Sequence, residues 1–267
     1  MSDQTPELLV LFDLPAGSLA EEIARDEALL DEIEGGRAGA LLRFWELPRF
    51  GVAVGKGEAL EDCVKMPEVL GDRLEIIRRP SAGGSVLIGP GNLNIVLAAT
   101  HGAGGRDIHR AYRTLQEAVA LALRAFDVPA AFIPPGDIAL GGRKISGIAQ
   151  CSRRRGYLVH STLLVSMDLS LIGRYLPHPA REPAYRAGRA HLDFLTTLRA
   201  AGFPIDVSDL RHKIAETLAE SLEAKGLRRE RAPAGVVMRA DELVALRYGL
   251  ASWTREKIDH VSRRRTT

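Results

Sequence analysis

A lysine framed by glycines and a basic loop with a glycine pair are the residues of this chain best placed to do chemistry. Lys144 lies in Gly141-Gly142-Arg143-Lys144-Ile145-Ser146-Gly147, about sixty residues after Arg78-Arg79-Pro80-Ser81-Ala82-Gly83-Gly84-Ser85-Val86. A glycine pair lets main-chain N–H groups approach phosphate or carboxylate closely, because no Cβ intervenes. A lysine is a compact cation that steadies negative charge building on a transferred group. The combination suits activation of a carboxylate by a nucleotide.

Each feature also has a plainer reading. The glycine pair alone reads first as a tight turn between solvated arginines. A second glycine-bearing turn, Gly89-Pro90-Gly91-Asn92-Leu93-Asn94, argues instead for a walled pocket. Lys144 either faces solvent at a strand end or is balanced by an anionic ligand, since a buried unpaired ammonium is costly. His160, among Leu158, Val159, Leu163 and Leu164, reads as a hydrogen-bonded core residue or as a catalyst. Arg153-Arg154-Arg155 is a solvated turn or a contact for an acidic protein partner. Cys151 has no histidine or acid beside it in sequence and reads as an ordinary thiol.

The elements that must position these residues follow from pattern. Leu8 to Leu14 reads as a buried strand. Ser18-Leu19-Ala20-Glu21 is a capping box opening a helix to Glu34, which Gly35-Gly36 ends. Strands are expected at Ala40–Glu46, Phe50–Gly55, Leu74–Arg79 and Asn92–Ala99. Asp107 caps a helix over Ile108–Phe126. Lys144–Ser152 and Tyr157–Ser166 form a β-hairpin joined by residues 153–156, with His160 opposite Ala149. Residues 177–195 are rich in Pro, Arg and His and read as an ordered surface loop with short helices. This loop holds Arg181, Tyr185, Arg186, Arg189 and His191, which either close over a nucleotide or pack on the surface. Ser208 caps a helix through Lys225, and a last short helix falls near Asp241–Tyr248.

The bulk properties set bounds. The 267 residues are 46% hydrophobic and 26% charged, as in ordinary globular domains. A formal charge of +2 and interspersed basic residues give no sign of nucleic-acid binding. Two cysteines far apart, no signal-peptide pattern and no membrane-length apolar run point to a cytoplasmic protein without a membrane partner. Helices and strands alternate without a composition break. We therefore expect one α/β (α+β) domain of mixed sheets flanked by helices over residues 1–255, with a disordered basic tail over 256–267.

Four runs in order and register resemble the lipoate–protein ligase branch of the biotin/lipoate ligase superfamily. They are the Arg78–Val86 loop, Gly91-Asn92-Leu93-Asn94, Gly142-Arg143-Lys144-Ile145-Ser146-Gly147-Ile148-Ala149-Gln150, and His160-Ser161-Thr162-Leu163-Leu164. Ala24-Arg25-Asp26-Glu27-Ala28-Leu29-Leu30 resembles the family's first helix. The resemblance implies ATP, Mg²⁺ and lipoate as ligands, and no dedicated protein metal site. The lipoate carboxylate would attack the ATP α-phosphate, and a lysine of an acceptor would then take the lipoyl group from lipoyl-AMP. The implied acceptor is a lipoyl domain of a dehydrogenase acyltransferase subunit or a glycine-cleavage H protein. By position Lys144 would be catalytic. Arg78, Arg79, Ser81, Gly83, Gly84, Ser85, Asn92, Gly147 and His160 would contact substrate or nucleotide.

The chain departs from the family pattern in Ala82 for a third glycine, Ser85 for alanine and Ser161 for glycine. It ends soon after Trp253, where the family's catalytic domain ends, so no accessory C-terminal domain is expected, and a small accessory subunit is a candidate partner. Two other readings stand beside the ligase. An octanoyltransferase of the same superfamily needs a cysteine in Ala131–Asp137 or Gly156–His160, and neither stretch has one. A non-catalytic lipoate-binding relative would have little use for Lys144.

Overall fold

The computed structural model describes residues 7–12, 14–102 and 105–261. In chain order β1 (Leu8–Leu11) precedes α1 (Leu19–Glu34), then β2 (Ala40–Trp45), β3 (Gly51–Val54) and two short helices, α2 (Leu60–Cys63) and α3 (Met66–Gly71). Next come β4 (Glu75–Arg78), β5 (Val86–Ile88), β6 (Asn92–Thr100) and α4 (Ile108–Arg124). The meander β7 (Ala131–Ile133), β8 (Asp137–Leu140), β9 (Arg143–Ser152), β10 (Gly156–Leu164) follows. The C-terminal third holds α5 (Ser170–Tyr175), α6 (His191–Phe194), α7 (Val207–Ser221), β11 (Leu227–Glu230), α8 (Ala234–Leu243) and α9 (Ala251–Glu256).

Among the described residues the strands form an eight-stranded sheet, β11-β1-β2-β6-β10-β9-β8-β7, and a three-stranded sheet, β4-β3-β5. Only β1 pairs in parallel in the large sheet, with β2 and β11; in the small sheet β3 and β4 are parallel. Strand alternation splits β6 and β10 between two cores. Leu93, Ile95, Leu97, Val159 and Leu163 face α4 and α7. Val96, Ala98 and Leu158 face α1, α8 and the small sheet. The second face is where the glycine loop of the small sheet meets the large sheet.

Local chemistry explains the elements that sequence pattern anticipates. Ser18 Oγ accepts the Glu21 N–H at 3.3 Å while Glu21 accepts the Ser18 N–H at 2.6 Å, a complete capping box. Asp107 caps α4 through the Arg110 N–H. The β9–β10 hairpin has the expected register, with His160 opposite Ala149, although Gly156 already belongs to the strand.

Several expectations are corrected. The first strand stops at Leu11 rather than Leu14. The cap of α7 is Asp206, which accepts the Ser208 N–H at 2.7 Å, and the helix ends at Ser221, well before Lys225. Gly226 instead leads into β11, an edge strand whose Leu-Arg-Arg-Glu sequence lacks alternation; backbone pairing to β1 makes it a strand. The last helical region starts at Ala234, behind Pro233, because Val236, Ala240 and Leu243 pack on the α1 side of the sheet. A π-turn over Val244–Tyr248 then precedes α9. The expected tail boundary falls inside this region. Asp259 is paired with Arg247 and Val261 is buried, so residues 257–261 join the folded body. Residues 262–267 lie outside the described residues.

Candidate active site beneath the glycine loop

Arg79 builds the glycine loop from within. Its guanidinium is buried, with Nε donating to Ser81 Oγ (2.9 Å), Nη1 to the Ala53 carbonyl (3.1 Å) and Nη2 to those of Ala82 (2.9 Å) and Gly84 (2.8 Å). Only a planar fork of donors can tie three loop residues to β3 in this way. Burial lowers the Arg79 pKa to about 10, still a cation at neutral pH. Gly83 has φ +97°, and a Cβ on Gly55 would lie 1.8 Å from the Gly83 carbonyl, so the loop needs glycine on both sides of this approach.

Arg78 also faces protein. Its Nη1 donates to the carbonyls of Gly55 (2.8 Å) and Glu58 (2.7 Å), and Nε to that of Thr254 (3.0 Å). In return Trp253 Nε1 donates to the Arg78 carbonyl at 2.7 Å, clamping α9 to the end of β4. Both arginines expected at the ligand thus point into the scaffold of the loop. Ser85 likewise turns to Glu58, its Oγ donating to Oε2 at 2.5 Å.

Lys144 reaches the site face through a break in strand register. Ala139 pairs with Lys144 and Ile138 with Ser146, so Ile145 is an extra residue in β9. Ile145 joins the core beneath α4, and Ser146 bonds Gln116 and Ser161 there. Lys144 is thereby rotated to the opposite face, that of Gly147. Its Nζ pairs with Asp137 Oδ1 at 2.8 Å, and the Tyr185 hydroxyl donates to Asp137 Oδ2 at 2.8 Å. A Cβ at Gly147 would come within 2.7 Å of the lysine Nζ, so the side chain lies directly across this glycine.

His160 shares that face and locks the loop onto β10. Ser81 Oγ lies 2.6 Å from His160 Nε2. Ser81 Oγ also accepts from Arg79 Nε, so this hydroxyl joins the buried guanidinium to the imidazole. Nδ1 lies 4.0 Å from Asp26 Oδ2. Burial, and then the charge of Arg79, push the His160 pKa down to about 3, so the ring is neutral. Asp26 Oδ1 takes the buried Arg43 at 2.7 Å, and Arg43 also pairs with Glu22.

The structure therefore gathers Lys144, Gly147, His160, Ser81 and Gly83 along β9 and β10. Asn92 opens β6 on the same face; it is buried, and its Oδ1 has no hydrogen-bond partner among the described residues. Gly84 has open space where a Cβ would be. Sequence reading missed Asp137, Tyr185 as its partner, Asp26 and the Trp253 clamp; only the Asp-Glu pair of α1 carried a signal. Arg153 is not a solvated turn residue, since it pairs with Glu27 and Asp31 of α1. Cys151 is partly buried on the site face, four residues beyond Gly147, and Cys63 sits at the end of α2. Among the described residues no cluster of His, Cys, Asp or Glu could hold a metal, and no helix is long and apolar enough to cross a membrane.

The site is thus a mixed sheet that presents Lys144 and His160 on the face to which the glycine loop is bound. Residues 18–227 match the family described as the lipoyl protein ligase A/B catalytic domain, and the chain belongs to that family. It is 30% identical over 155 residues to "Probable lipoate-protein ligase A" of Mycoplasma genitalium, covering 57% of this chain and 45% of that one. It is 33% identical over 150 residues to an octanoyl-[GcvH]:protein N-octanoyltransferase of Bacillus velezensis, covering 52% of each. The chain thus spans about half the length of these curated relatives. In fold it resembles a lipoate-protein ligase A solved with ATP (TM-score 0.81, 23% identity, covering 95% of this chain and 100% of the other). It also resembles the bipartite lipoate protein ligase of Thermoplasma acidophilum, solved as part of a system with its E2 lipoyl domain (TM-score 0.80, 21% identity, 95% and 97% covered).

Proposed function

We propose that this chain is the catalytic domain of an ATP-dependent lipoate–protein ligase. The observation that carries the reading is Lys144, rotated by the β9 bulge to lie across Gly147 on the face that the glycine loop covers. An ammonium there meets the negative charge that builds when a carboxylate attacks the ATP α-phosphorus and pyrophosphate leaves. The same ammonium serves the second step, in which an acceptor lysine amine attacks the acyl-adenylate carbonyl and AMP departs. A fixed cation aimed at developing charge lowers both barriers without reorganising at the moment of reaction. Gly83 and Gly84 offer main-chain N–H groups at the loop, and Asn92 Oδ1 is a buried acceptor with capacity to spare. Arg78 and Arg79 hold this loop in shape. Mg²⁺ would enter with ATP.

The second reading, an octanoyltransferase, is favoured by the Bacillus velezensis relative. It requires a thiolate beside Lys144 to carry the acyl group. Cys151 lies about 13 Å further along β9 than Gly147, from four strand rises. The acceptor we infer is a lysine-bearing lipoyl domain or H protein, and a small accessory subunit is the further candidate partner.

Intact mass of an apo lipoyl domain after incubation with the chain, lipoate and Mg-ATP tests the proposal. The expected gain is one lipoyl group, absent without ATP and absent with Lys144→Ala. Transfer from an octanoyl-carrier without ATP would replace the ligase reading with the transferase. No transfer from either donor, even with an accessory subunit added, would leave a binding protein.

A further inference from the structure

Tyr185 belongs to the Pro-, Arg- and His-rich segment 177–195, and this segment is built around the reactive lysine. Arg189 donates to the Gly142 carbonyl at 3.0 Å, and Arg143 to the Leu192 and Leu195 carbonyls at 2.7 and 2.5 Å. The Thr196 N–H donates to the Lys144 carbonyl at 3.1 Å. Within the segment the Tyr185 ring packs against Phe194 in a tilted arrangement with centroids 5.1 Å apart and planes at 52°, and the guanidiniums of Arg186 and Arg189 lie over the Phe194 ring. This packing fixes the phenol so that its hydroxyl meets Asp137 Oδ2, the carboxylate oxygen that Lys144 does not use.

We propose that Tyr185 is a positioning residue for Lys144, acting through Asp137. A carboxylate with both oxygens available can follow an ammonium by rotation and hold it in either of two arrangements. The phenol occupies one oxygen and stops that rotation. Lys144 is left with a one-point pair, partly exposed (side-chain exposure 28%), above Gly147. Such a pair orients the lysine and is weak enough to be exchanged for an anionic ligand. Burial raises the Tyr185 hydroxyl pKa, with the Asp137 charge acting in the same direction, so it stays a donor. The 177–195 segment thus forms a wall of the site that tunes how firmly the lysine is held.

The inference concerns how Lys144 acts in the proposed ligase and rests on that reading for its role, while the arrangement itself is testable without turnover. Tyr185→Phe keeps the ring on Phe194 and deletes only the hydroxyl, so the chain should stay folded with a thermal midpoint lowered by at most several degrees. The rate at which Lys144 is labelled by an amine-selective reagent, followed by peptide mass spectrometry, reads its freedom directly. In Tyr185→Phe labelling should slow by about three-fold or more, because Asp137 gains a second oxygen for the ammonium. In the Asp137→Ala background the same change should have no effect. Adenylation of lipoate, measured by pyrophosphate release, should show an about ten-fold loss in Tyr185→Phe and none beyond that of Asp137→Ala alone. Unchanged labelling in Tyr185→Phe, or an equal effect in both backgrounds, would overturn the proposal. If labelling behaves as expected but the wild-type chain adenylates no acid, the ligase reading falls and the positioning of Lys144 by Tyr185 stands.

Discussion

Lys144 lies across Gly147, three residues further along the same strand, with its ammonium 2.7 Å from where a Cβ on that glycine would be. Residues three apart on a regular strand point to opposite faces. The extra residue at Ile145 removes that opposition, and the missing side chain at 147 leaves the path that the lysine follows to Asp137.

Gly147→Ala tests this path. The added methyl meets the flexible end of Lys144 rather than backbone, so stability should change by less than about 1 kcal/mol. The ammonium must move off Asp137, and adenylation should fall about 10²-fold. Steady-state pyrophosphate release beside a urea melt checks both halves; a fully active alanine variant would show that the lysine needs no such path.

Arg79→Lys examines the loop scaffold. An ammonium cannot replace a fork that reaches the carbonyls of Ala53, Ala82 and Gly84 together. A loss of about 3 kcal/mol is expected from chemical denaturation, in line with removing charge-assisted hydrogen bonds. Equal stability would mean the loop holds its shape without the arginine.

The pH dependence of stability should carry a mark of His160. Its native pKa is pushed down to about 3, against about 6.5 in an unfolded chain. Between those values the unfolded state binds a proton that the native ring refuses, so stability rises with pH across this window. The contribution is fully present above about pH 6.5 and is lost on acidification toward 3. His160→Gln should therefore flatten the fall in Tm between pH 7 and pH 5. Parallel wild-type and variant curves would mean that the ring takes up its proton in the native state.

Trp253→Phe probes the clamp between α9 and the loop root. The indole N–H is the only group the substitution removes from the Arg78 carbonyl. A cost of about 1–3 kcal/mol is expected, seen as a Tm lowered by several degrees. Faster proteolysis near residues 55–58, which Arg78 holds, should accompany it; an unchanged digest would separate the clamp from the loop.

The chain's own order of residues determined what depends on near neighbours. The Ser18–Glu21 box, the Asp107 cap and the pairing of His160 with Ala149 each follow from spacing within one element or one hairpin. The glycine loop was legible because its positive φ at Gly83 and its close approach to Gly55 admit few residues other than glycine. Asp137, by contrast, lay in a stretch read only for its lack of cysteine, and its two partners, Lys144 and Tyr185, come from two different later segments. Tyr185 is 48 residues away, and Arg78 meets the α9 carbonyl across 176. No periodicity records such contacts. They arise when the large sheet, the small sheet and the C-terminal helices bury their faces together, because a donor is satisfied by whichever acceptor packing brings within about 3 Å. The bulge at Ile145 is of the same kind: two successive side chains turn to one core because α4 is there to receive them, and the lysine is turned out to the other face.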